Sequence, residues 1–277
     1  MKWCQFGIIS IIITGYDMIE SPISPRKHDR LTAFLQAFGL RAVVTDKADA
    51  EANLFLVTGD DGDSASHIVV RVLGGAPSNG AFSVLVAAKI DFGGVANPLV
   101  GALPEELVFA LSEQPQMRGL ADALAMEVEN SRCGGRTVQE RLCEIIVVLA
   151  VRRAIDMGRV SAGLLAGLAH PTLHPCLVAI HDKPALGWRT EMLAQLAGLS
   201  RSHFIEQFTR TVGKTPAAYV TSWRLALGRA EIASGHSVKA AARRVGFGSA
   251  AAFSRAFSRT YGHPPAEMVA TGPRQEP

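Results

Sequence analysis

Two sets of mainly polar side chains recur at helical spacing in the last third of the chain. The first set is Ser202, Glu206, Thr209 and Arg210, and the second is Ala251, Arg255, Ser258 and Arg259. At about 100° per residue, each set occupies one helix face, opposite a pair of phenylalanines four residues apart. Hydroxyl, carboxylate and guanidinium groups presented in this way can hydrogen-bond to base edges and contact phosphates. This spacing favours recognition of a nucleic acid rather than the breaking of bonds.

The two sets belong to a module that occurs twice. Ser200, Phe204, Phe208, Gly213 and Pro216 recur, each 49 positions later, as Ser249, Phe253, Phe257, Gly262 and Pro265. Ala194 and Gly198 recur as Ala242 and Gly246 at an offset of 48, so the second copy has one extra turn residue. Five matched positions at fixed spacing indicate a duplication.

Each copy predicts a helix, a tight turn and a second helix. Ser200 and Ser249 are suitable N-cap residues, because a serine hydroxyl accepts a bond from an amide of the first helical turn. Gly213 and Gly262 are suited to end those helices, and a proline then stands near the start of the next helix. This arrangement is the helix-turn-helix motif. The helix between the copies, 216 to about 233, is about 27 Å long, close to the roughly 34 Å between successive major-groove faces of DNA.

The duplicated pattern resembles the DNA-binding domain of the AraC/XylS family of bacterial transcription factors. The resemblance covers about eighty residues, and the matching positions are 193–200, Phe204, Phe208, Gly213, Thr215-Pro216, Tyr219, 223–225, Ala242, 245–247, Ser249, 253–257 and Gly262. Met268 departs from it where an aromatic residue is usual, and Ala251 where a serine is common. The resemblance implies double-stranded DNA as the partner, with one recognition helix from each copy in each of two adjacent major-groove segments.

Individual roles follow from position on the two helices, because residues near a recognition-helix N-terminus reach base edges and later basic residues meet phosphates. The predicted base-edge residues are Ser202, Glu206, Ala251 and Arg255. The predicted phosphate residues are Arg201, Arg210, Arg243, Arg244 and Arg259. The predicted structural residues of the motifs are Ala194, Phe204, Phe208, Gly246, Phe253 and Phe257. Arg255 is matched to a guanine edge or the adjacent phosphate, Glu206 to a cytosine amino group, and Ala251 to a thymine methyl. The alternative for Glu206 is a solvent-facing carboxylate.

The charge is divided between two regions although the formal net charge is only +3. Of 28 Lys and Arg residues, 12 lie from Trp188 onward, against 5 of 25 Asp and Glu; the preceding residues therefore hold 16 bases and 20 acids. A basic C-terminal third beside an acidic remainder fits a nucleic-acid-binding module joined to a different domain. With 48% hydrophobic residues, 277 residues predict about two domains with sizeable cores.

The predicted fold class is α+β: a small cupin-like β-rich domain with flanking helices, then an all-α domain of two helix-turn-helix units joined by a linker helix. The strands are expected at 53–58, 67–73, 81–88 and 108–111, and the helices at 30–40, 112–129 and 137–157. The predicted divisions are an extension at 1–28, a sensor or dimerisation domain at 29–165, a linker with a short helix at 166–187, the DNA-binding domain at 188–270 and a tail at 271–277. The uncharged segment 3–16 is too short to span a bilayer. It is interpreted either as an extra N-terminal strand or as residues that lie upstream of the natural start of the protein.

The N-terminal region more faintly resembles the cupin-like sensor domain of one branch of the same family. The segments that carry the resemblance are 87–93, 97–105, 141–152 and 170–188. No His-x-His pair with a following glutamate is present for a cupin metal site, and Ala87 stands where several members carry a cysteine. These departures put a metal cofactor and a cysteine-based oxidant sensor in doubt.

Isolated histidines and cysteines are interpreted mainly as structural residues. His67 lies alone on a strand, whereas a metal ion needs three or four donors. Cys143 is expected in an apolar helix, and Cys133, beside two glycines, is the better candidate for a reactive thiol. A group formed by His170, His174, Cys176 and His181 could hold zinc, but polar caps on a linker helix are the preferred interpretation. No metal and no cofactor are therefore predicted.

Two functional classes remain open from the sequence. The leading hypothesis is a cytoplasmic, sequence-specific transcription regulator of the activator kind, with a small-molecule effector, RNA polymerase and a second copy of the chain as further partners, and no membrane partner. The alternative is a DNA-repair or modifying enzyme that carries an AraC-type DNA-binding module, as the Ada-type methyltransferases do. Such an enzyme needs a four-cysteine zinc cluster, and Cys4, Cys133, Cys143 and Cys176 are too scattered to indicate one. No nucleotide-binding or nucleophile-elbow motif is present.

Overall fold

The computed structural model describes residues 31–59, 62, 64–94, 97–130, 132–157 and 163–270. The predictions for the extension at 1–28 and the tail at 271–277 lie outside the described residues.

The N-terminal region is built on an antiparallel sheet. Its strands are β1 (Arg41–Thr45), β2 (Leu54–Thr58), β3 (His67–Arg71), β4 (Ser83–Asp91) and β5 (Glu106–Ala110). They lie in the order β1-β4-β2-β3-β5, and the register between β2 and β4 shifts between Leu56 and Val57. Every residue of β2 is buried, because one face of the sheet packs on the main core and the other on a small cluster around Phe55. The four predicted strands are confirmed within a few residues, whereas β1 was not predicted.

Three helices flank this sheet. They are α1 (Thr32–Phe38), α2 (Pro115–Glu129) and α3 (Gly135–Asp156). The helix predicted from Ser112 or nearby to Glu129 is confirmed within a few residues. Leu111–Glu113 form a separate 3-10 turn, and α2 begins at Pro115, because the missing amide of proline costs least at a helix start. One face of α3 is buried and the helix packs on β1. The α+β prediction for this region is confirmed.

Two short helices connect the sheet region to the C-terminal region. They are α4 (Leu164–Ala169), which was not predicted, and α5 (His174–Asp182). Cys176, Leu177 and Ile180 of α5 are fully buried. Both helices therefore belong to the core rather than to an exposed linker.

The C-terminal region consists of helices in the part described. They are α6 (Thr190–Leu196), α7 (Arg201–Val212), α8 (Pro216–Ala233), α9 (Val238–Arg244), α10 (Ala250–Tyr261) and α11 (Pro265–Ala270). The Oγ atoms of Ser200 and Ser249 accept bonds from the amides of His203 and Ala252, at 3.4 Å and 3.1 Å. Gly213 and Gly262 end α7 and α10 with φ angles of 78° and 80°. The two predicted helix-turn-helix units are confirmed.

The main core is continuous from the sheet to the first of these units. Helix α1 contributes to this continuity, because it packs against α5 and α8. The ring of Phe34 on α1 meets those of His181 on α5 and Trp223 on α8, with centroids 4.7 Å and 4.8 Å apart. The second unit has a core of its own, built around Leu225, Ile232, Phe253 and Phe257.

Candidate nucleic-acid interface

The outer face of α7 is polar, as predicted. Phe204 and Phe208 are fully buried, whereas Ser202, Glu206 and Arg210 are exposed on the opposite side. Burial of the two rings fixes the rotation of the helix about its axis, and that rotation decides which side chains point outward.

The outer face of α10 follows the same rule. Phe253 and Phe257 are fully buried, and Ala251, Arg255 and Arg259 are exposed. In the part of the chain that the structure describes, no ion pair is recorded for Arg255 or Arg259. These two guanidinium groups are therefore open to an external anion.

Other predicted phosphate residues are paired within the protein. Arg201 Nε lies 2.7 Å from Glu191 Oε1, and Arg210 Nη1 lies 3.8 Å from Glu206 Oε1 one helical turn away. Exposed pairs of this kind contribute little stability, so they can exchange for contacts with phosphate.

Arg244 is also paired within the protein. Its Nη1 lies 2.8 Å from Glu231 Oε2 on α8, and the ring of His236 shares the same carboxylate oxygen at 3.3 Å. Arg243, by contrast, is exposed at the end of α9. Arg243 is therefore the more accessible member of this adjacent pair.

Helix α8 connects the two helix-turn-helix units and is called the rod below. Its 18 residues correspond to about 27 Å, and Trp223 enters the core shared with the first unit, whereas Leu225 enters that of the second. A Cβ added to Gly228 would lie 2.5 Å from Cε2 of Phe253, so α8 and α10 approach closely there. Trp223 and Leu225 are thus core residues, whereas the close approach at Gly228 was not predicted; a glycine inside an otherwise helical run was its only local signal.

A short loop before the DNA-binding unit is fastened to α8. Arg224 donates from Nε to the carbonyl of Pro184 at 2.7 Å and from Nη2 to that of Leu186 at 2.8 Å. Partial burial lowers the pKa of this guanidinium. Between the two acceptors, the backbone of Ala185 lies against Gly246 in the turn after α9. Arg224 thus holds the two units together indirectly, through the loop.

The histidines and cysteine grouped by the sequence have separate partners. His181 Nε2 lies 2.7 Å from the Tyr219 hydroxyl, His174 Nδ1 lies 3.1 Å from the carbonyl of His170, and Cys176 donates from Sγ to the carbonyl of Leu193 at 3.2 Å. Over the residues described, no group of three or more potential metal ligands occurs. Burial raises the pKa values of the Cys143 and Cys176 thiols to about 12, so both stay protonated at neutral pH.

Within the described ranges, no helix has the length and apolar character needed to cross a bilayer.

The architecture defines a class: an N-terminal cupin-like region followed by paired helix-turn-helix units. Family models agree with this division, since one described as a helix-turn-helix domain matches residues 193–271 and one described as a cupin matches residues 43–156.

Relatives with related sequences have names of the same kind. The HTH-type transcriptional regulator AlkR of Acinetobacter baylyi is 31% identical over 198 residues, which cover 70% of this chain and 64% of AlkR. The RCS-specific HTH-type transcriptional activator RclR of Escherichia coli is 30% identical over 172 residues, which cover 60% of each chain. The chain spans less than two thirds of the length of each relative. These matches identify the C-terminal region as an AraC-type helix-turn-helix domain and the N-terminal region as a divergent cupin domain.

Solved structures also show similarity to part of this chain. An AraC-type transcriptional regulator from Chromobacterium violaceum covers 38% of this chain and 96% of its own, at 21% identity and a TM-score of 0.35. The DNA-binding domain of AdpA, solved with a target DNA, covers 36% of this chain and 90% of its own, at 27% identity and a TM-score of 0.34.

Proposed function

We propose that this protein is a sequence-specific transcription regulator that reads two adjacent major-groove segments of one DNA duplex. The observation that carries the proposal is the pair of exposed faces on α7 and α10, each held by two buried phenylalanines and both attached to one 18-residue rod. A rod of about 27 Å places the two helices near the spacing of roughly 34 Å between successive major-groove faces.

The proposed contacts divide into base reading and backbone positioning. Ser202, Glu206, Ala251 and Arg255 meet base edges, because they are exposed in the first two turns of α7 and α10. Arg201, Arg210, Arg243, Arg244 and Arg259 meet phosphates. Arg201 and Arg244 must first leave Glu191 and Glu231, so their contributions to DNA affinity are expected to be smaller than those of Arg243 and Arg259.

The N-terminal region is proposed to sense a small molecule or to pair two copies of the chain. Its state reaches the DNA-binding units through α1, because Phe34 packs directly on Trp223 of the rod. RNA polymerase is the proposed partner for activation, and the bacterial cytoplasm is the proposed compartment, since the DNA and the polymerase lie there. The proposed domain limits stay 29–165 and 188–270; the linker between them, 166–187, contains most of α4 and all of α5.

The enzyme alternative has no observation in its favour. The relatives named above are regulators or activators, and Cys143 and Cys176 are buried in the core away from the exposed Cys133. A zinc assay and a methyl-transfer assay on alkylated DNA test this alternative directly; stoichiometric zinc together with methyl transfer would support it.

The regulator proposal is tested by selecting bound fragments from genomic DNA and footprinting the best of them. The expected result is two protected segments whose centres lie about one helical turn, roughly 10 base pairs, apart. The same fragment should drive a reporter gene only when the protein is present. A single protected segment, or no enrichment of any sequence, would contradict the proposal.

A further inference from the structure

A cleft of about 550 Å³ opens where the N-terminal region meets both DNA-binding units. Its walls come from α1, from the end of α5, from α8 of the rod, and from the end of α9 in the second unit. None of the predicted base-edge residues lines it. The cleft is therefore separate from the base-reading faces, although the proposed phosphate residue Arg244 lines it, and its walls come from both regions.

Two buried rings in the cleft lining carry nitrogens without a partner. His181 is 4% exposed and Trp223 is 2% exposed, and both line the cleft. Among the described residues, His181 Nδ1 and Trp223 Nε1 have no hydrogen-bond partner, although His181 Nε2 is bonded to Tyr219. Buried polar groups in native proteins nearly always have a partner, so two such nitrogens in one lining indicate a place where a polar ligand is accommodated.

The side chain of Phe34 covers both rings from α1, with centroids 4.7 Å from that of His181 and 4.8 Å from that of Trp223. A ligand that reaches the two nitrogens must therefore displace the edge of α1. Since α1 belongs to the N-terminal region and Trp223 to the rod, occupation of the cleft changes the contact between them.

The charges around the cleft favour a cation. Asp182 and Glu231 are in its lining, and α5 and α8 both end beside it, where the helix dipole is negative. Arg244 is the basic residue of the lining and pairs with Glu231 at 2.8 Å, so the carboxylate of Asp182 is the lining charge that this pair leaves uncompensated. Burial lowers the pKa of His181 to about 3, so this ring adds no positive charge. The face of an indole ring also attracts cations.

The geometry points to a binding site in this cleft for a small organic amine that also carries a hydroxyl or carbonyl oxygen. The ammonium group pairs with Asp182, and the oxygen accepts the Nε1 hydrogen of Trp223. This inference rests on the proposed regulator function, since it locates the effector of that regulator at the contact between α1 and the rod.

The test uses the full chain in phosphate buffer, because amine buffers would occupy the site. Ethanolamine, glycinamide and choline are titrated by calorimetry and by thermal unfolding, with ethylene glycol and glycolate as neutral and anionic counterparts. We expect saturable heat and a rise of a few degrees in Tm with at least one amine, and neither with the two counterparts. Absence of saturable binding by all three amines, or equal binding by glycolate, overturns the inference.

A pair of charge-matched variants then locates the binding. Asp182→Asn should weaken amine binding at least fivefold, because it removes an exposed carboxylate of the cleft wall. Asp122→Asn removes an exposed carboxylate from α2, outside the cleft, and should leave the affinity unchanged. Equal affinity in both variants would place the amine elsewhere and overturn the assignment.

Failure of the inference can be told apart from failure of the proposed function. Genomic selection and footprinting of the ligand-free protein require no amine. A protein that protects two adjacent segments but binds no amine retains the regulator function and loses the effector site. A protein that binds amines at Asp182 but enriches no DNA loses the regulator function.

Discussion

The backbone of Ala185 lies directly against Gly246: a Cβ on Gly246 would stand 2.5 Å from the Cα of Ala185 and 2.9 Å from its carbonyl oxygen. Arg224 holds the carbonyls on either side of Ala185, at 2.7 Å and 2.8 Å. The loop is thus fixed to the rod on one side and to the second unit on the other. It sets how the second unit is oriented on α8.

Gly246→Ala is expected to destabilise the second unit by more than 2 kcal/mol. Its φ of 84° alone costs an alanine about 1–2 kcal/mol, and the collision with Ala185 adds about 1–3 kcal/mol of overpacking. Urea unfolding measures the loss, and footprinting should show the second protected segment weakened before the first.

Gly198→Ala is the matched control, because Gly198 occupies the equivalent turn of the first unit. Its φ is 66°, but no atom lies within 4 Å of an added Cβ. Gly198→Ala should therefore lower the free energy of unfolding only by the cost of a positive φ angle for alanine, about 1–2 kcal/mol. Equal losses in the two variants would show that the Ala185 contact contributes nothing.

A second prediction concerns the contact between the rod and α10. Gly228→Ala places a Cβ 2.5 Å from Cε2 of Phe253, so we expect a loss of about 1–3 kcal/mol despite the higher helix propensity of alanine. Gly119→Ala on α2 meets no atom within 4 Å and should stabilise the protein by up to about 1 kcal/mol. The two free energies of unfolding should have opposite signs; a stabilising Gly228→Ala would mean that α10 moves away from the rod without cost.

These contacts also show which parts of the molecule the sequence could predict. The helix-turn-helix units were predictable because their signals are local: a serine cap such as Ser200, a glycine stop such as Gly213, and phenylalanines four residues apart. β1 was missed because its run, 41–45, is short, is buried only at Ala42 and depends on pairing with β4. The packing of Phe34 on Trp223 joins residues far apart along the chain, and no local pattern encodes such a contact.

Arg255→Ala should weaken binding to the selected fragment by about 1–3 kcal/mol and relax one base position. Arg255 is exposed on α10, and a guanidinium can bond a guanine edge with two hydrogen bonds. Repeating the selection with the variant measures both effects. An unchanged sequence preference with unchanged affinity would remove Arg255 from the interface.

Arg210→Ala should weaken binding evenly on all sequences. Its guanidinium lies in the last turn of α7, where a phosphate contact replaces the long 3.8 Å pair with Glu206. Because one released counterion accompanies each phosphate contact, the slope of log affinity against log salt should become shallower by about 1. A loss confined to one sequence would mean that Arg210 reads a base.

The last prediction concerns pH and the buried His181. Burial lowers its pKa from 6.5 to about 3 in the folded protein, so between these values the unfolded chain binds a proton that the folded chain excludes. Stability from this residue is therefore complete above pH 6.5 and falls as the pH drops towards 3. At pH 5 the loss amounts to about 2 kcal/mol, at 1.36 kcal/mol for each pH unit below 6.5.

His181→Gln removes the titrating group and keeps a polar side chain on α5. Urea unfolding at pH 7.5 and pH 5 should show that the wild-type protein loses about 2 kcal/mol more than the variant over this interval. The difference between the two pH values is the informative quantity, because any general destabilisation by glutamine is present at both and cancels. A wild-type loss no larger than that of the variant would mean that the ring is protonated in the folded state, and hence that water reaches it beneath Phe34.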